Sequence, residues 1–451
     1  MKFMISVLLS FSALVTASPL STRQLVTPPT NDPFYTPPAG YESTAPGTIL
    51  AIRNPPSLIA ALGILPVPLK SAHQILYRST DSFGNPSSTV TTVLVPLTNP
   101  SPSKLLSYQV AQDSASLNCA PSYAFQALSS SSGPFGTVGT QIEILAIGAA
   151  LAEGWIVTIP DHEGPNAAFL ANVRGGQHVL DGIRATFSSG LVDPDAKVAM
   201  WGYSGGSLVS SFAAELASTY APELLSQLIG VALGGAVPNI TTALPYLTAS
   251  PFAGLVPGGI IGLANEYPNI AAKVSENLLS NKAEYFNKAH TQCLGANLLS
   301  FLGQDVLADY FTSEDLFFSD PEVLAVTNAN AMGQRPIPAS IPVFMYKGVQ
   351  DQISPISDTD ALYDFYCAGG ARIEYIRDVS AEHAALLLTG VPSAVQWIKW
   401  RFEGVAWSGG RCQNRDVLTS LGDAAAQKIK KDIRDKLAGF LGKSEVEKLA
   451  H

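Results

Sequence analysis

A serine set among glycines, Gly202-Tyr203-Ser204-Gly205-Gly206, follows the apolar run "KVAMW" (197–201) and leads into the helical pattern "GSLVSSFAAELAS" (206–218). A strand-to-helix turn of this composition is the setting of a nucleophile elbow. The serine there takes strained dihedrals, its small neighbours keep clear of the adjoining strand and helix, and the first helical N–H groups lie beside Oγ, where an oxyanion would form. A glycine-rich turn without chemistry is the competing reading of the same string. A serine needs a base, and on this scaffold the chain order is serine, acid, histidine. Of the six histidines, His73, His162 and His178 precede Ser204, whereas His290, His383 and His451 follow it. His290 falls in a helical stretch and His451 is the last residue, which leaves His383, in a loop between the strand-like "RIEYI" and a helix.

The acid is expected just past the strand "VFMYKG", where Asp351 stands, with Asp358, Asp360 and Asp378 as rivals. Its work is to accept a hydrogen bond from the imidazole and to stabilise the imidazolium. A second oxyanion donor normally comes from the loop after an earlier strand. Asp113 occupies that loop in "LLSYQVAQDSASLNCAPSY". Its backbone N–H could pair with that of Gly205, and its carboxyl, if protonated, could donate as well. An ordinary capping role fits its spacing equally well.

Elements able to position such a site alternate along the chain. Strand-like runs, among them "HQILYRSTD", "STVTTVLVPL", "KLLSYQV", "GWIVTIPD", "LIGVALGG", "IPVFMYKG" and "ARIEYIRD", are separated by helical stretches near 141–153, 166–190, 205–219 and 391–402. Several of these runs are continuously apolar, as expected of strands covered on both faces. The alternation predicts an α/β fold with a mainly parallel central sheet and helices on both sides. It fails between 239 and 325, where helical pieces follow one another without a clear strand. The expected layout is a body over 18–238 and 326–420, an inserted all-helical cap over 239–325, and an amphipathic tail over 421–451. In that tail Ile429, Ile433, Leu437, Phe440 and Leu441 recur at helical spacing.

Of the 451 residues, 47% are apolar and only 14% charged, which calls for a large core and leaves room for a greasy ligand. A formal net charge of −9 argues against a nucleic-acid partner, which needs a basic face to displace phosphate counterions. "MKFMISVLLSFSALVTAS" has the layout of a secretory signal peptide over 1–17, with cleavage expected after Ala17. Its apolar run is short for a bilayer span, and the later apolar stretches are broken by Pro and Gly, so a secreted, extracellular protein without a stable membrane span is expected. In that compartment Cys119, Cys293, Cys367 and Cys412 suggest two disulfides, in any of three pairings. They lack metal-ligand spacing, and no cofactor or metal is called for. Asn239-Ile240-Thr241 is a glycosylation sequon. The sequence sets no oligomeric state.

Taken together, "YQVAQDSASLNCAPSY" (108–123), "DHEGPNAAFLANVRGGQHVLDGIRA" (161–185), "GYSGG" (202–206), "YAPEL" (220–224), "GVQDQISP" (348–355) and "AEHAALLLTGVPSAVQWI" (381–398) resemble the fungal secretory lipase family of the Candida antarctica lipase A type. The resemblance runs from about 32 to about 412. It implies a secreted α/β-hydrolase with a helical cap, acting on triacylglycerols and other carboxylic esters, with a lipid–water interface as a further partner, and often transferring acyl groups to alcohols. It places the triad on Ser204, Asp351 and His383, the oxyanion pair on Asp113 and Gly205, and the disulfides on Cys119 with Cys293 and Cys367 with Cys412. "DHEG" reads as a structural loop, with no catalytic step for Asp161 or His162. The tail departs from the family's Pro/Gly-rich flap. Two rival readings are a serine peptidase on the same scaffold and a non-catalytic hydrolase-fold binding protein, whose usual mark, a lost triad member, is absent.

Overall fold

The computed structural model describes residues 26–63, 65–129, 136–407 and 410–420. The expected signal peptide and the amphipathic tail lie outside the described residues. Ten strands form one sheet: β1 (Ile49–Arg53), β2 (Leu69–Thr80), β3 (Pro86–Pro96), β4 (Ser101–Gln109), β5 (Trp155–Pro160), β6 (Lys197–Tyr203), β7 (Leu228–Gly234), β8 (Val343–Gly348), β9 (Ile373–Asp378) and β10 (Cys412–Val417). Their spatial order is β1-β2-β3-β5-β4-β6-β7-β8-β9-β10. Pairing is antiparallel from β1 to β5 and parallel from there to β10. The sheet is therefore mainly parallel, with an antiparallel wing at its N-terminal edge.

The apolar runs behave as doubly covered strands should. Val198 and Met200 on β6, with Val343 and Met345 on β8, join the core under helices α2 (Asn172–Ser188) and α3 (Gly205–Tyr220). Ala199 and Trp201, with Phe344 and Tyr346, face the opposite core, under α1 (Ile144–Ala152) and the helix over Val391–Phe402. With greasy partners on both faces, alternation vanishes from the sequence although it persists in space.

Between β7 and β8 the chain leaves the sheet and builds a separate helical layer: α4 (Ile240–Leu247), α5 (Leu255–Glu266), α6 (Pro268–Asn277), α7 (Leu294–Ser300) and α8 (Pro321–Ala329), with shorter turns between. Helix therefore continues past 325, the expected end of the cap, to Ala329. This layer has its own core, in which Phe286, Phe301, Tyr310, Phe311 and Phe317 meet. Its two ends meet as well, because Met332 N donates to Pro238 O at 2.8 Å. Several ties hold it to the body, among them three buried ones. Cys119 is bonded to Cys293. The buried Arg174 guanidinium lies 2.6 Å from Glu266. Asn172 exchanges hydrogen bonds with Asn330, N to Oδ1 at 2.8 Å and Nδ2 to O at 2.7 Å. The second disulfide, Cys367–Cys412, fastens the edge strand β10 to the helix α9 (Ile356–Ala368).

Candidate active site

Ser204 stands between β6 and α3 with φ 52° and ψ −123°. A non-glycine residue in this region carries strain, which survives only where the surroundings over-determine it. Here they do. Ser204 N donates to Gly234 O of the neighbouring strand at 2.9 Å, and both the N–H and the hydroxyl of Ser207 donate back to Ser204 O, at 2.8 and 2.7 Å. Two glycines permit the close approach: a Cβ on Gly206 would run into the Gln109 carbonyl of β4, and one on Gly205 into the Asp113 carboxyl.

His383 Nε2 lies 2.9 Å from Ser204 Oγ, and its Nδ1 lies 2.6 Å from Asp351 Oδ2. The sequence placed His383 in a loop; it is the first residue of helix α10 (His383–Thr389). Asp351 follows β8, and its other oxygen accepts from Ile353 N at 2.8 Å and Ser354 N at 3.1 Å. Burial by itself would raise this carboxyl. His383 and the Lys347 ammonium, 2.8 Å away, overcome that and hold it well below the usual carboxylate range. The rival acids lie elsewhere. Asp358 accepts from Thr242, Asp360 accepts from Tyr375 at 3.1 Å, and Asp378 binds Ser380 N, Ala381 N and Ser420 N, ordering the loop before His383.

Asp113 lies in the loop after β4, beside the elbow because Gln109 pairs with Gly202 across β4 and β6. Its φ is 47° and its carboxyl is buried, with Oδ1 free of any hydrogen bond. Burial pushes that carboxyl up to about 7. Ser204, Gly205 and Asp113 open into a cavity of about 90 Å³. Its other walls are apolar but for Lys273 and Thr327 and come mostly from the cap, for instance Leu244, Leu247, Ile260, Leu263 and Phe317.

Several residues that sequence reasoning passed over support this arrangement. Lys347 is fully buried; burial lowers its ammonium, Asp351 opposes that, and the same Nζ donates to Ala236 O at 2.8 Å. Tyr203 donates its hydroxyl to His383 O at 2.6 Å, and its ring packs against the imidazole. Gln352 Oε1 accepts from His383 N at 3.1 Å. Glu143 accepts from Ala111 N at 2.7 Å and from the Tyr108 hydroxyl at 2.8 Å, fixing the loop that carries Asp113. Glu163 is buried beside the Asp113 and Ser114 N–H groups, and burial, reinforced by the Asp113 charge, raises it well above its ordinary value against their opposing effect. In the same "DHEG" loop, Asp161 binds Ser122 through N at 2.8 Å and Oγ at 2.5 Å, and His162 Nε2 meets Val110 O at 2.8 Å. Neither touches the triad residues by these bonds. Asn239 caps α4 through Oδ1, accepting from Thr241 N at 2.9 Å and Thr242 N at 3.2 Å. Among the described residues no cluster of His, Cys, Asp and Glu could hold a metal, and no helix is long and apolar enough to cross a membrane.

The profile of the family described as secretory lipase matches residues 129–410. Lipase A of Arthroderma benhamiae is 47% identical over 420 residues, covering 92% of this chain and 88% of that protein. Lipase 10 of Candida albicans is 40% identical over 392 residues, covering 84% of this chain and 82% of that protein. The X-ray structure of Candida antarctica lipase A superposes with a TM-score of 0.79 at 26% identity, over 92% of this chain and 96% of that one.

Proposed function

Because the chain belongs to the secretory lipase family, we propose that its carboxylic ester hydrolysis proceeds through an acyl-enzyme on Ser204, with His383 as base, Asp351 as the carboxylate that orients it, and Gly205 with Asp113 as oxyanion donors. The observation that carries this reading is the continuous relay from Ser204 Oγ to His383 Nε2 at 2.9 Å and from Nδ1 to Asp351 at 2.6 Å. In the neutral tautomer Nδ1–H donates to Asp351 and Nε2 accepts the serine hydroxyl. Oγ attacks the ester carbonyl carbon as its proton passes to Nε2. The carbonyl oxygen becomes an oxyanion beside Gly205 N–H and the Asp113 carboxyl proton. When the C–O bond breaks, the alcohol leaves with the proton from Nε2. Water then repeats the sequence and frees the acid, or a second alcohol takes the acyl group.

The substrate class is carboxylic esters, triacylglycerols among them. The support is the greasy cavity that begins at Ser204 and runs under the cap, where an acyl chain finds apolar walls and the reacting carbonyl finds the polar floor. Secretion after cleavage behind Ala17, a glycan on Asn239 and work at a lipid–water interface complete the proposal, with 18–238 and 326–420 as catalytic body, 239–325 as cap and 421–451 as tail. Ser204→Ala tests it. Turnover of p-nitrophenyl esters and labelling by a fluorophosphonate should fall at least about 10³-fold while the thermal melt stays in place. Retained activity would sink the assignment.

A further inference from the structure

The lining of the cavity is apolar apart from the groups at Ser204 and two cap residues, Thr327 and Lys273. Lys273 stands out. It lies on α6 beside Ile270 and Val274, which line the same cavity, and its ammonium reaches Asp320 Oδ2 at 2.8 Å. Asp320 is the N-cap of α8, where its other oxygen accepts from Glu322 N at 2.9 Å and Val323 N at 3.2 Å. Val323 and Thr327 of α8 line the cavity too. The pair therefore ties together two cap helices that wall the same space. Both side chains remain partly exposed, 26% for Lys273 and 19% for Asp320, so this side of the cavity reaches the protein surface. A lysine stem laid along apolar surface with its head in water is a familiar way of closing such an edge.

We propose that the Lys273–Asp320 pair forms the outer wall of the acyl cavity and sets the longest acyl chain that the enzyme accepts. The proposal rests on the reading above, that this cavity holds the acyl group of the acyl-enzyme. A chain short enough to end inside the walls of α5, α6 and α8 never meets the pair. A longer one has to displace the lysine stem and part the two helices. Asp320 is held in place by the backbone of its own helix, so the flexible partner is Lys273. Shortening Lys273 removes the wall itself. Neutralising Asp320 leaves the wall in place but unfastened.

The test is the ratio of kcat/KM on p-nitrophenyl palmitate to that on p-nitrophenyl butyrate, measured for the full-length protein, Lys273→Ala and Asp320→Asn. Asparagine retains the helix cap, so the second variant isolates the ion pair. Lys273→Ala should raise the ratio at least about tenfold, the scale on which an apolar pocket discriminates one or a few methylenes. Asp320→Asn should raise it in the same direction by a smaller factor, and the gain should shrink in 1 M salt for the wild type's partner-dependent part. An unchanged ratio in both variants, in a protein that hydrolyses both esters, overturns the latch and leaves the catalytic reading standing. A wild-type protein that hydrolyses neither ester overturns both together.

Discussion

The floor of the site and its roof are built on opposite principles. On the floor, just past the ends of β6, β8 and β9, each member of the proposed triad is held by directional bonds: Ser204 by Gly234 and Ser207, Asp351 by two backbone N–H groups and Lys347, His383 by Asp351, Gln352 and Tyr203. In the roof, Lys273 and Thr327 apart, the walls are aliphatic and aromatic side chains in contact with one another, with no directional requirement beyond filling space. A hydrogen bond fixes an atom; a hydrophobic contact fixes a volume. On the proposed mechanism, rate resides in the floor and selectivity in the roof.

The sharpest way to break that contrast is on the floor. Asp351→Asn removes the anion that orients His383 and should lower kcat by about 10⁴-fold, the scale seen when a triad acid becomes an amide, whereas Asp360→Asn should stay near wild type. Steady-state kinetics on a soluble ester compares the two, and the reverse outcome would move the acid to Asp360. Next in size is a pH effect. Asp113 is neutral below about 7 and anionic above it, and only the neutral form can donate to an oxyanion. On the proposed mechanism the contribution is present at lower pH and lost as pH rises through about 7, after which the carboxylate repels the developing charge. Wild-type kcat/KM should drop about 10²-fold on that side, the lower end of what one oxyanion donor contributes. Asp113→Asn, neutral throughout and tolerant of the positive φ, should flatten this limb in a pH–rate profile from 5 to 9; an unaltered limb would remove the carboxyl from the mechanism. The smallest effect belongs to the roof. Ile260→Ala enlarges the cavity and should shift KM among acyl lengths by about tenfold, with kcat moving less. A larger fall in kcat than in selectivity would erase the distinction between floor and roof.

The floor was legible in the sequence to the extent that chemistry forces residue types. Ser204 announced itself through the glycines its strained turn demands, and His383 through the scarcity of histidines after it. The α/β alternation was legible because doubly covered strands must be apolar. β1 and β10 were not, since edge strands carry no such demand, and "CQNRDV" reads as a polar loop. Lys347 was hidden by its chemistry, because a lysine closing an apolar run suggests a solvated strand end. Its signal lay in register: it shares the face of Val343 and Met345, which is covered. Glu143 and Glu163 left no local trace, as their roles arise from neighbours far away in the chain. The roof's walls were legible only as a helical stretch, because apolar residues at helical spacing do not say which of them face a void.

The bond from Met332 N to Pro238 O brings the beginning and the end of the roof within one hydrogen bond of each other. Seen from the sheet, everything between these two residues is a single excursion that returns to its point of departure. The entropy of closing such an excursion grows only with the logarithm of its length, about 0.6 kcal/mol per doubling. The roof could therefore be lengthened, shortened or exchanged while the register of β7 on β8, and with it the proposed catalytic floor, stays as it is. If the roof selects the acyl group, as proposed, substrate range and reaction chemistry sit in separately adjustable parts of the chain.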